Sequence, residues 1–235
     1  MDPFEHTEAR LRPQIDDDGF VNYDALVREG ACARAIQAFA EQTWPQDPAG
    51  PAFWINAYNL LTLALVCDHW PIRSLGELHR VRPLPVAVAL KQTVWDRERF
   101  AVAGRNLTLN DIEHRILRKQ FAEPRIHAAL VCAAVSCPPL RAELYRDECL
   151  EEQLTDQMRR FLACRRTHRY DPASHTWVIS PIFLWYARDF GRSRAQRLEW
   201  LLAYAPKPVR HGTRERGRPP RIRYSDYDWS LNMQR

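Results

Sequence analysis

The order of the predicted helices and strands constrains the fold of this chain more than any single motif does. Helices are expected over Ala31–Thr43 and Pro51–Asp68, and Pro51 suits the first turn of the second helix. Short strands are expected further along, but they do not alternate regularly with helices. This order favours an α+β fold over a doubly wound sheet. We expect a single domain over residues 1–235, with several helices around a small, mainly antiparallel sheet.

Between residues 100 and 121, the sequence predicts a short hairpin that leads straight into a helix, with Asn110 or Thr108 as its N-cap. The apolar run RIHAALVC, residues 125–132, is the best candidate for a strand covered on both faces. Further predicted elements are a helix over Asp147–Ala163, a strand over Thr176–Ile179, an aromatic helix over Pro181–Phe190 and a short helix over Leu198–Tyr204.

Composition is that of a folded protein, since 46% of the 235 residues are hydrophobic and the net charge of +5 is modest. The first residues, MDPFEHTEARLRPQ, lack the apolar core of a signal peptide. The longest apolar run, Leu60 to Cys67, is far shorter than the roughly 20 residues of a membrane span. We therefore expect a cytoplasmic protein without a membrane span, whose six cysteines are thiols rather than a disulfide framework.

Glu113 and His114 lie on the predicted helix over residues 110–121. Glu113 precedes Ile116 and Leu117 by three and four residues, which places its carboxylate on or beside the apolar face. A carboxylate there must be paired or protonated. Glu113 is thus either an orienting or acid/base group or a structural carboxylate that holds a nearby Arg or His. His114 points away from this face and is expected to be semi-exposed.

His127 lies on the predicted strand, where an imidazole needs a hydrogen-bonding partner. It is either a satisfied core histidine or a general base poised by a carboxylate such as Glu113. Cys137 stands where the strand ends, between Ser136 and two prolines. It becomes a nucleophile only as a thiolate, which requires a nearby positive charge.

The charges nearest to Cys137 in sequence are His127 and Arg125, and without such help Cys137 is an inert buried thiol. Cys132 and Cys137 offer a second interpretation as a redox pair. Their C-x4-C spacing is looser than the C-x-x-C signature of redox and zinc sites, so the spacing alone is a weak motif.

Two polar features lie outside this segment. Asn56 and Asn59 are three residues apart and share a face of the apolar helix, where they either clamp a backbone loop or orient a catalytic imidazole. The stretch Arg210–Arg223 contains six arginines and is expected to be a solvated surface loop, with binding of an anionic partner as the alternative. It has no interleaved aromatic residues, so nucleic acid is not the expected partner.

Six blocks of the sequence together resemble one family, the domain of unknown function 547. They occur in the family's order from about Gly19 to Asn232, and they are DGFVNYDAL, AFWINAYNLLTLALV, LTLNDIEHRILR, PRIHAALVCAAVSCPPLR, SPIFLWYARDF and YDWSLN. The family often has Gly-Ser where this chain has Ala133-Ala134. The resemblance implies a single α+β domain, in other members sometimes preceded by a secretion signal or joined to glutaredoxin-like or other modules. It implies no particular activity, but its blocks contain Asn56, Glu113, His114, His127, Cys132 and Cys137.

The leading hypothesis is a thiol-dependent hydrolase or acyl-transfer enzyme that acts on a small-molecule or peptide substrate. Cys137 is then the nucleophile and His127 the base, with His114 in reserve. Glu113 or Asn56 orients the imidazole. Backbone N–H groups of the SCPP turn would form the oxyanion site.

Two alternatives come from other classes of protein. In a non-catalytic interaction or scaffold domain, the same side chains are packing and clamp residues, and Cys137 is buried without an open cleft. In a thiol-redox protein, Cys132 and Cys137 exchange a disulfide. No cofactor is expected, and a zinc site built from His114, His127, Cys132 and Cys137 is an outside alternative.

Overall fold

The computed structural model describes residues 3–30 and 50–234, so the helix expected over Ala31–Thr43 lies outside the described residues. In chain order the elements are α1 (Pro3–Leu11), α2 (Tyr23–Glu29), α3 (Pro51–Asp68), α4 (Leu84–Ala89), α5 (Val94–Arg97), β1 (Arg99–Val102), β2 (Arg105–Thr108), α6 (Asp111–Phe121), α7 (Ile126–Ala129), α8 (Leu150–Ala163), β3 (Arg169–Asp171), β4 (Thr176–Ile179), α9 (Ile182–Trp185), α10 (Ala187–Phe190), α11 (Arg194–Tyr204), α12 (Lys207–Arg216) and β5 (Arg221–Tyr224). The expected α+β fold is confirmed.

Helix α3 lies at the centre of the larger of two hydrophobic clusters. Every residue from Ala52 to Val66 is buried, because the helix is apolar all the way round and other elements cover each of its sides. Helices α2 and α6 both pack against it. In the part of the chain that the structure describes, no helix is long and apolar enough to cross a membrane.

The strands form two small sheets. The predicted hairpin is confirmed: β1 and β2 are antiparallel, with Val102 opposite Arg105, and the turn between them uses positive φ angles at Ala103 and Gly104. The second sheet has the order β3-β4-β5. Its β3–β4 pair is antiparallel and its β4–β5 pair parallel, so two of the three strand pairs are antiparallel, as expected.

The second hydrophobic cluster is formed by α8, β4, α9 and the C-terminal helices around the buried ring of Trp177. It meets the first cluster at α7, where Ala128 packs in one and Ala129 in the other. Tyr227 packs against both clusters. The boundary between the two cores therefore passes through α7 and Tyr227, and it is here that the candidate site lies.

The strand predicted over residues 125–132 is wrong: the segment forms the single helical turn α7 and then an extended loop. A short apolar run cannot be assigned to a strand or to a buried helix by periodicity alone. In this segment, side-chain amides rather than a neighbouring strand form hydrogen bonds with the backbone. The Asn59 amide donates to the Ala129 carbonyl and accepts from the Val131 N–H, and the Gln157 amide donates to the Ala128 carbonyl.

The loop predicted over Arg210–Arg223 is also wrong, because its first half belongs to helix α12 and its end forms strand β5. Gly217, with a positive φ, ends the helix. β5 then pairs with β4, and Trp177 lies opposite Ile222. All six arginines of this stretch are exposed, and the guanidinium groups of Arg210 and Arg216 also donate to backbone carbonyls.

Two other predicted helices are present with different bounds. The aromatic helix over residues 181–190 is two short helices, α9 and α10, that meet at Tyr186. The helix expected from Leu198 begins four residues earlier, because Ser193 and Gln196 form a capping box. The amphipathic helix over residues 147–163 and the strand over 176–179 are confirmed.

Candidate functional site

Cys132 and Cys137 come together in the loop that follows α7, and we call them the thiol pair. The Cys132 backbone N–H donates to Cys137 Sγ at 3.1 Å. The Tyr227 hydroxyl is hydrogen-bonded to both sulfurs, at 3.2 Å from Cys137 Sγ and 3.5 Å from Cys132 Sγ. Both cysteines are free thiols, and Cys137 is buried while Cys132 is partly exposed.

The loop around the thiol pair is held at many points. Ala133 has a φ of 60°, the left-handed conformation that glycine favours, and this is where the resembled family often has glycine. On either side of Ala133, the Cys132 N–H donates to Cys137 Sγ and the Ala134 N–H helps to lower the pKa of the same thiol. Ser136 exchanges hydrogen bonds with the backbone of Asp228, which fixes the SCPP turn to the chain beside Tyr227.

The two thiols differ in acidity. Burial acts to raise the pKa of Cys137, but hydrogen bonds from the Cys132 thiol, the Tyr227 hydroxyl and the backbone N–H groups of Ala134 and Cys132 outweigh it, and the pKa lies below its ordinary value. The hydrogen bond to Cys137 and burial raise the pKa of Cys132 well above its usual range. The pair therefore holds one negative charge, centred on Cys137, before it can hold two.

Helix α6 supplies the acidic part of the site. It is wound as a π-helix over all of Asp111–Phe121, so residues five apart share a face. Glu113 is buried on this face, and its carboxylate accepts a hydrogen bond from the Tyr186 hydroxyl. Arg118, five residues on, lies over the same tyrosine ring at 4.9 Å. The Thr108 hydroxyl accepts the Asp111 N–H at the start of the helix, whereas the Asn110 side chain caps no backbone N–H, so Thr108 rather than Asn110 supplies the side-chain cap.

His127 is held by Asp189 rather than by Glu113. Its Nε2 lies 2.7 Å from Asp189 Oδ2, and Arg118 binds the same carboxylate through Nε and Nη2 at 2.7 and 3.0 Å. The imidazole stacks on Tyr186 with 4.0 Å between the ring centroids. The hydrogen bond from His127, followed by those from Arg118, holds the pKa of the Asp189 carboxyl well below its usual range.

Two buried tyrosines, Tyr58 and Tyr186, are subject to the charges of both Glu113 and the thiol pair. Burial raises the pKa of Tyr58 well above its usual range, and the charge of Glu113 and then that of Cys132 raise it further. Burial and the Glu113 carboxylate likewise raise the pKa of Tyr186, with a smaller contribution from Cys132. Glu113 and Cys132 therefore act electrostatically on the same two hydroxyl groups, and both hydroxyls stay protonated.

The structure brings together only part of the predicted site. Among the described residues, no imidazole is a hydrogen-bond partner of Cys137 Sγ, which is bound by the Cys132 backbone and the Tyr227 hydroxyl. Asn56 does not orient a histidine, because its amide clamps the backbone N–H and carbonyl of Tyr145. The predicted backbone clamp is confirmed for Asn56 and for Asn59.

The remaining candidates have other surroundings. The His114 side chain is 38% exposed, as expected; its Nδ1 lies 3.1 Å from Arg118 Nη1 and 3.9 Å from Glu113 Oε1. Arg125 is not the positive charge that activates Cys137, since Glu123 and Glu151 bind its guanidinium. Within residues 3–30 and 50–234, no three His, Cys, Asp or Glu side chains are grouped closely enough to hold a metal ion, so the zinc site is not formed.

Three residues of the site were missed by the sequence reasoning: Tyr186, Asp189 and Tyr227. All lie in the blocks SPIFLWYARDF and YDWSLN, which carry part of the family resemblance. The available signal for these residues was that each block places a polar group among aromatic residues, far from the thiols in sequence. Their positions beside His127 and the thiol pair depend on chain crossings that no local pattern encodes.

Aromatic rings cover the outer side of the thiol pair. Tyr227 packs on Trp229 and Trp185, with centroid distances of 4.4 and 5.0 Å. Trp185 is 50% exposed and its neighbour Leu184 is 52% exposed. The tyrosine that contacts both sulfurs therefore belongs to a group of aromatic rings that is partly exposed.

Comparison with known proteins gives one match. A family model described as a protein of unknown function, DUF547, matches residues 43–162, which include α3, α6, α7 and the thiol pair. No curated protein and no solved structure matches the chain.

Proposed function

We propose a function for this chain, which belongs to the DUF547 family of proteins of unknown function: it is a thiol–disulfide oxidoreductase whose redox couple is Cys132 and Cys137. One observation carries the proposal. Both sulfurs are hydrogen-bonded to the hydroxyl of Tyr227, and the Cys132 N–H donates to Cys137 Sγ. Two free thiols that share a hydrogen-bond donor support a role as partners in thiol–disulfide exchange.

Exposure and acidity assign different roles to the two sulfurs. Cys132 is partly exposed and is the sulfur that meets the substrate, whereas Cys137 is buried and carries the charge of the reduced pair. Since the Cys132 thiol is hydrogen-bonded to Cys137, the Cys137 thiolate can accept its proton as Cys132 attacks. Cys137 is then the base in the first step and the attacking thiol in the second.

The substrate is a small-molecule or peptide disulfide, R–S–S–R′. In the first step Cys132 Sγ bonds to one substrate sulfur, the substrate S–S bond breaks, R′–S⁻ leaves, and the Cys132 proton moves to Cys137. In the second step Cys137 loses this proton to solvent and attacks Cys132 Sγ, and R–S⁻ leaves. The pair has given two electrons to the substrate and has become a Cys132–Cys137 disulfide, which a small thiol reduces to restart the cycle.

The surrounding groups support this chemistry. The N–H groups of Cys132 and Ala134 and the Tyr227 hydroxyl stabilise negative charge on Cys137, which is the group that must be ionised at rest. Tyr227 keeps its own proton because burial raises its pKa well above the usual range. The hydroxyl is therefore a permanent donor to whichever sulfur carries the charge.

The test uses one tryptic peptide, because trypsin cleaves after Arg125 and Arg141 and no Lys or Arg lies between them. The purified protein is treated with oxidised glutathione, its remaining thiols are alkylated, and peptide 126–141 is analysed by mass spectrometry. We expect the peptide to lose two hydrogens and to take up no alkyl group. Tyr227→Phe should slow this oxidation, whereas Cys149→Ser, which changes a thiol elsewhere, should leave it unchanged.

Alkylation of the reduced protein at varied pH completes the test. We expect an apparent pKa for Cys137 below the ordinary thiol value of about 8.5. If peptide 126–141 stays reduced and both its thiols react only after unfolding, the proposal is wrong. The alternative hypothesis of a non-catalytic interaction domain then replaces it. That hypothesis also predicts a buried Cys137.

A hydrolase or acyl-transfer activity is the second candidate, and the Asp189–His127 pair favours it. A carboxylate that holds an imidazole at 2.7 Å is the supporting half of a catalytic triad. The same alkylation experiment separates the two functions. If His127→Ala abolishes the reactivity of Cys137 and no intramolecular disulfide forms on oxidation, acyl transfer replaces redox exchange as the function.

Location and partners follow from the same proposal. A cytoplasmic location would keep the thiol pair reduced between turnovers. The exposed arginines of residues 210–223, among them Arg214, Arg218, Arg221 and Arg223, would attract an anionic partner.

A further inference from the structure

Strand β5 forms an edge of the three-stranded sheet. The sheet has the order β3-β4-β5, and among the described strands only β4 pairs with β5. The Arg221 N–H donates to the His175 carbonyl just before β4, so the backbone groups of Arg221 face β4. Because backbone groups alternate sides along a strand, the N–H and C=O groups of Ile222 and Tyr224 face the opposite way.

These outward backbone groups have no partner in the free protein. Neither the N–H nor the C=O of Ile222 or Tyr224 makes a hydrogen bond with any residue in 3–30 or 50–234. Tyr224 is 44% exposed, Arg221 and Arg223 are exposed, and Ile222 is half-buried. A row of unpaired backbone groups along an exposed strand is a template for one more strand.

The charge around this edge selects the strand that can join it. Residues 207–223 contain seven Lys and Arg residues and one Glu. The guanidinium groups of Arg221 and Arg223 make no hydrogen bond or ion pair with any described residue. A second copy of β5 would place these arginines opposite other arginines, which is destabilising. An acidic strand would instead form ion pairs with them.

The alternation of side chains along β5 sets the sequence pattern of such a strand. Arg221 and Arg223 lie on one face of the sheet, and Ile222 and Tyr224 lie on the other. Ile222 packs against the second hydrophobic cluster. A strand that pairs with β5 therefore has acidic residues opposite the two arginines and apolar residues opposite Ile222 and Tyr224.

We propose that β5 binds an extended acidic peptide as a fourth, antiparallel strand, in which acidic residues alternate with apolar ones. In an antiparallel pair, a residue of a hydrogen-bonded pair exchanges both bonds with the residue directly opposite. The apolar residues of the peptide then make the backbone hydrogen bonds to Ile222 and Tyr224, and its carboxylates pair with Arg221 and Arg223. This binding requires no thiol chemistry, so it is separate from the redox function proposed above.

Fluorescence anisotropy with the full chain and a labelled peptide, Gly-Ser-Glu-Val-Glu-Val-Ser-Gly, tests the proposal. We expect this peptide to bind, and a peptide of the same composition with the order Glu-Glu-Val-Val to bind at least about tenfold more weakly. N-methylation of both valines removes the N–H groups that face β5 and should weaken binding about tenfold. N-methylation of both glutamates, whose N–H groups face away from β5, should leave the affinity nearly unchanged.

Variants of the protein test the same strand pairing. Replacing both Arg221 and Arg223 by Gln should weaken binding about fivefold or more, whereas Arg194→Gln, which changes an exposed arginine of α11, should not. Tyr224→Pro removes an outward N–H that Tyr224→Ala keeps, so the proline variant should bind more weakly than the alanine variant. If no peptide binds, if the Glu-Glu-Val-Val peptide or single-stranded oligo(dT) binds as tightly as the alternating peptide, or if N-methylated valines have no effect, the β5 site is overturned.

Discussion

At the scale of single residues, the left-handed backbone conformation of Ala133 strains the loop that carries the thiol pair. A left-handed conformation places Cβ too close to the following carbonyl oxygen, which costs roughly 1–2 kcal/mol for an L-residue. Ala133 adopts this conformation at φ 60° and is buried. The loop nevertheless keeps this conformation, in which the Cys132 N–H donates to Cys137 Sγ.

Ala133→Gly should therefore stabilise the protein. Glycine removes the strain but loses more backbone entropy on folding, so we expect a net gain of about 0.5–1 kcal/mol in the free energy of unfolding. Chemical denaturation measures it. Ala134→Gly is the matched control, because Ala134 has no positive φ, and it should destabilise. Equal effects of the two substitutions would contradict the strain.

A buried histidine gives a second prediction at this scale. Burial lowers the pKa of His168 from the ordinary 6.5 to about 3, and its Nε2 has no partner among the described residues. Since the unfolded chain binds this proton near pH 6.5 and the folded chain only near pH 3, stability should fall as the pH drops from about 6.5 towards 3.

The slope of unfolding free energy against pH over this window measures the effect. His168→Gln should flatten the slope. His211→Gln, which changes an imidazole that is 71% exposed, should not. An unchanged slope in His168→Gln would show that other groups cause the acid sensitivity.

At the scale of elements, the two asparagine clamps of α3 are equivalent in chemistry but hold different loops. Asn59 ties the carbonyl of Ala129 and the N–H of Val131, just before the thiol pair, whereas Asn56 ties both backbone groups of Tyr145. Both amides are buried, so each replacement leaves buried backbone groups without partners.

Asn59→Ala and Asn56→Ala should each lower the free energy of unfolding by about 2–4 kcal/mol. Only Asn59→Ala should also slow the oxidation of peptide 126–141, because only this clamp positions Cys132. Denaturation and the oxidation assay together measure both effects. If both variants slowed oxidation equally, general destabilisation and not the clamp would be the cause.

The elements also show why some of the fold was predictable. The hairpin, α8 and β4 were predicted because turn chemistry and hydrophobic period act within a few residues. The segment at 125–132 failed because its backbone partners are the side chains of Asn59 and Gln157, which lie far away in sequence. Buried Glu113 was found from the helix period, but its partner Tyr186 was not, because a tertiary contact decides it.

At the scale of the whole molecule, the thiol pair lies where two hydrophobic cores meet. Cys132 and Cys137 belong to the first cluster, and Tyr227 packs on both. The chain around Tyr227 pairs with distant segments: Ser225 donates to Ile179, Leu231 to Arg73, and Val21 donates to Asn232. The thiol pair and the hydroxyl that it shares are thus brought together from the middle and the last part of the described chain.

These contacts also determine when, during synthesis, the thiol pair can acquire its hydrogen bonds. Ribosomes deliver the chain from its N-terminus, so Cys132 and Cys137 emerge 95 and 90 residues before Tyr227. During that interval the nascent chain carries two ordinary cysteines without their shared hydroxyl, and the Asp228 backbone that fixes the SCPP turn is also missing. Synthesis itself therefore delays the complete set of hydrogen bonds around the thiol pair until the segment of Tyr227 and Asp228 has been made.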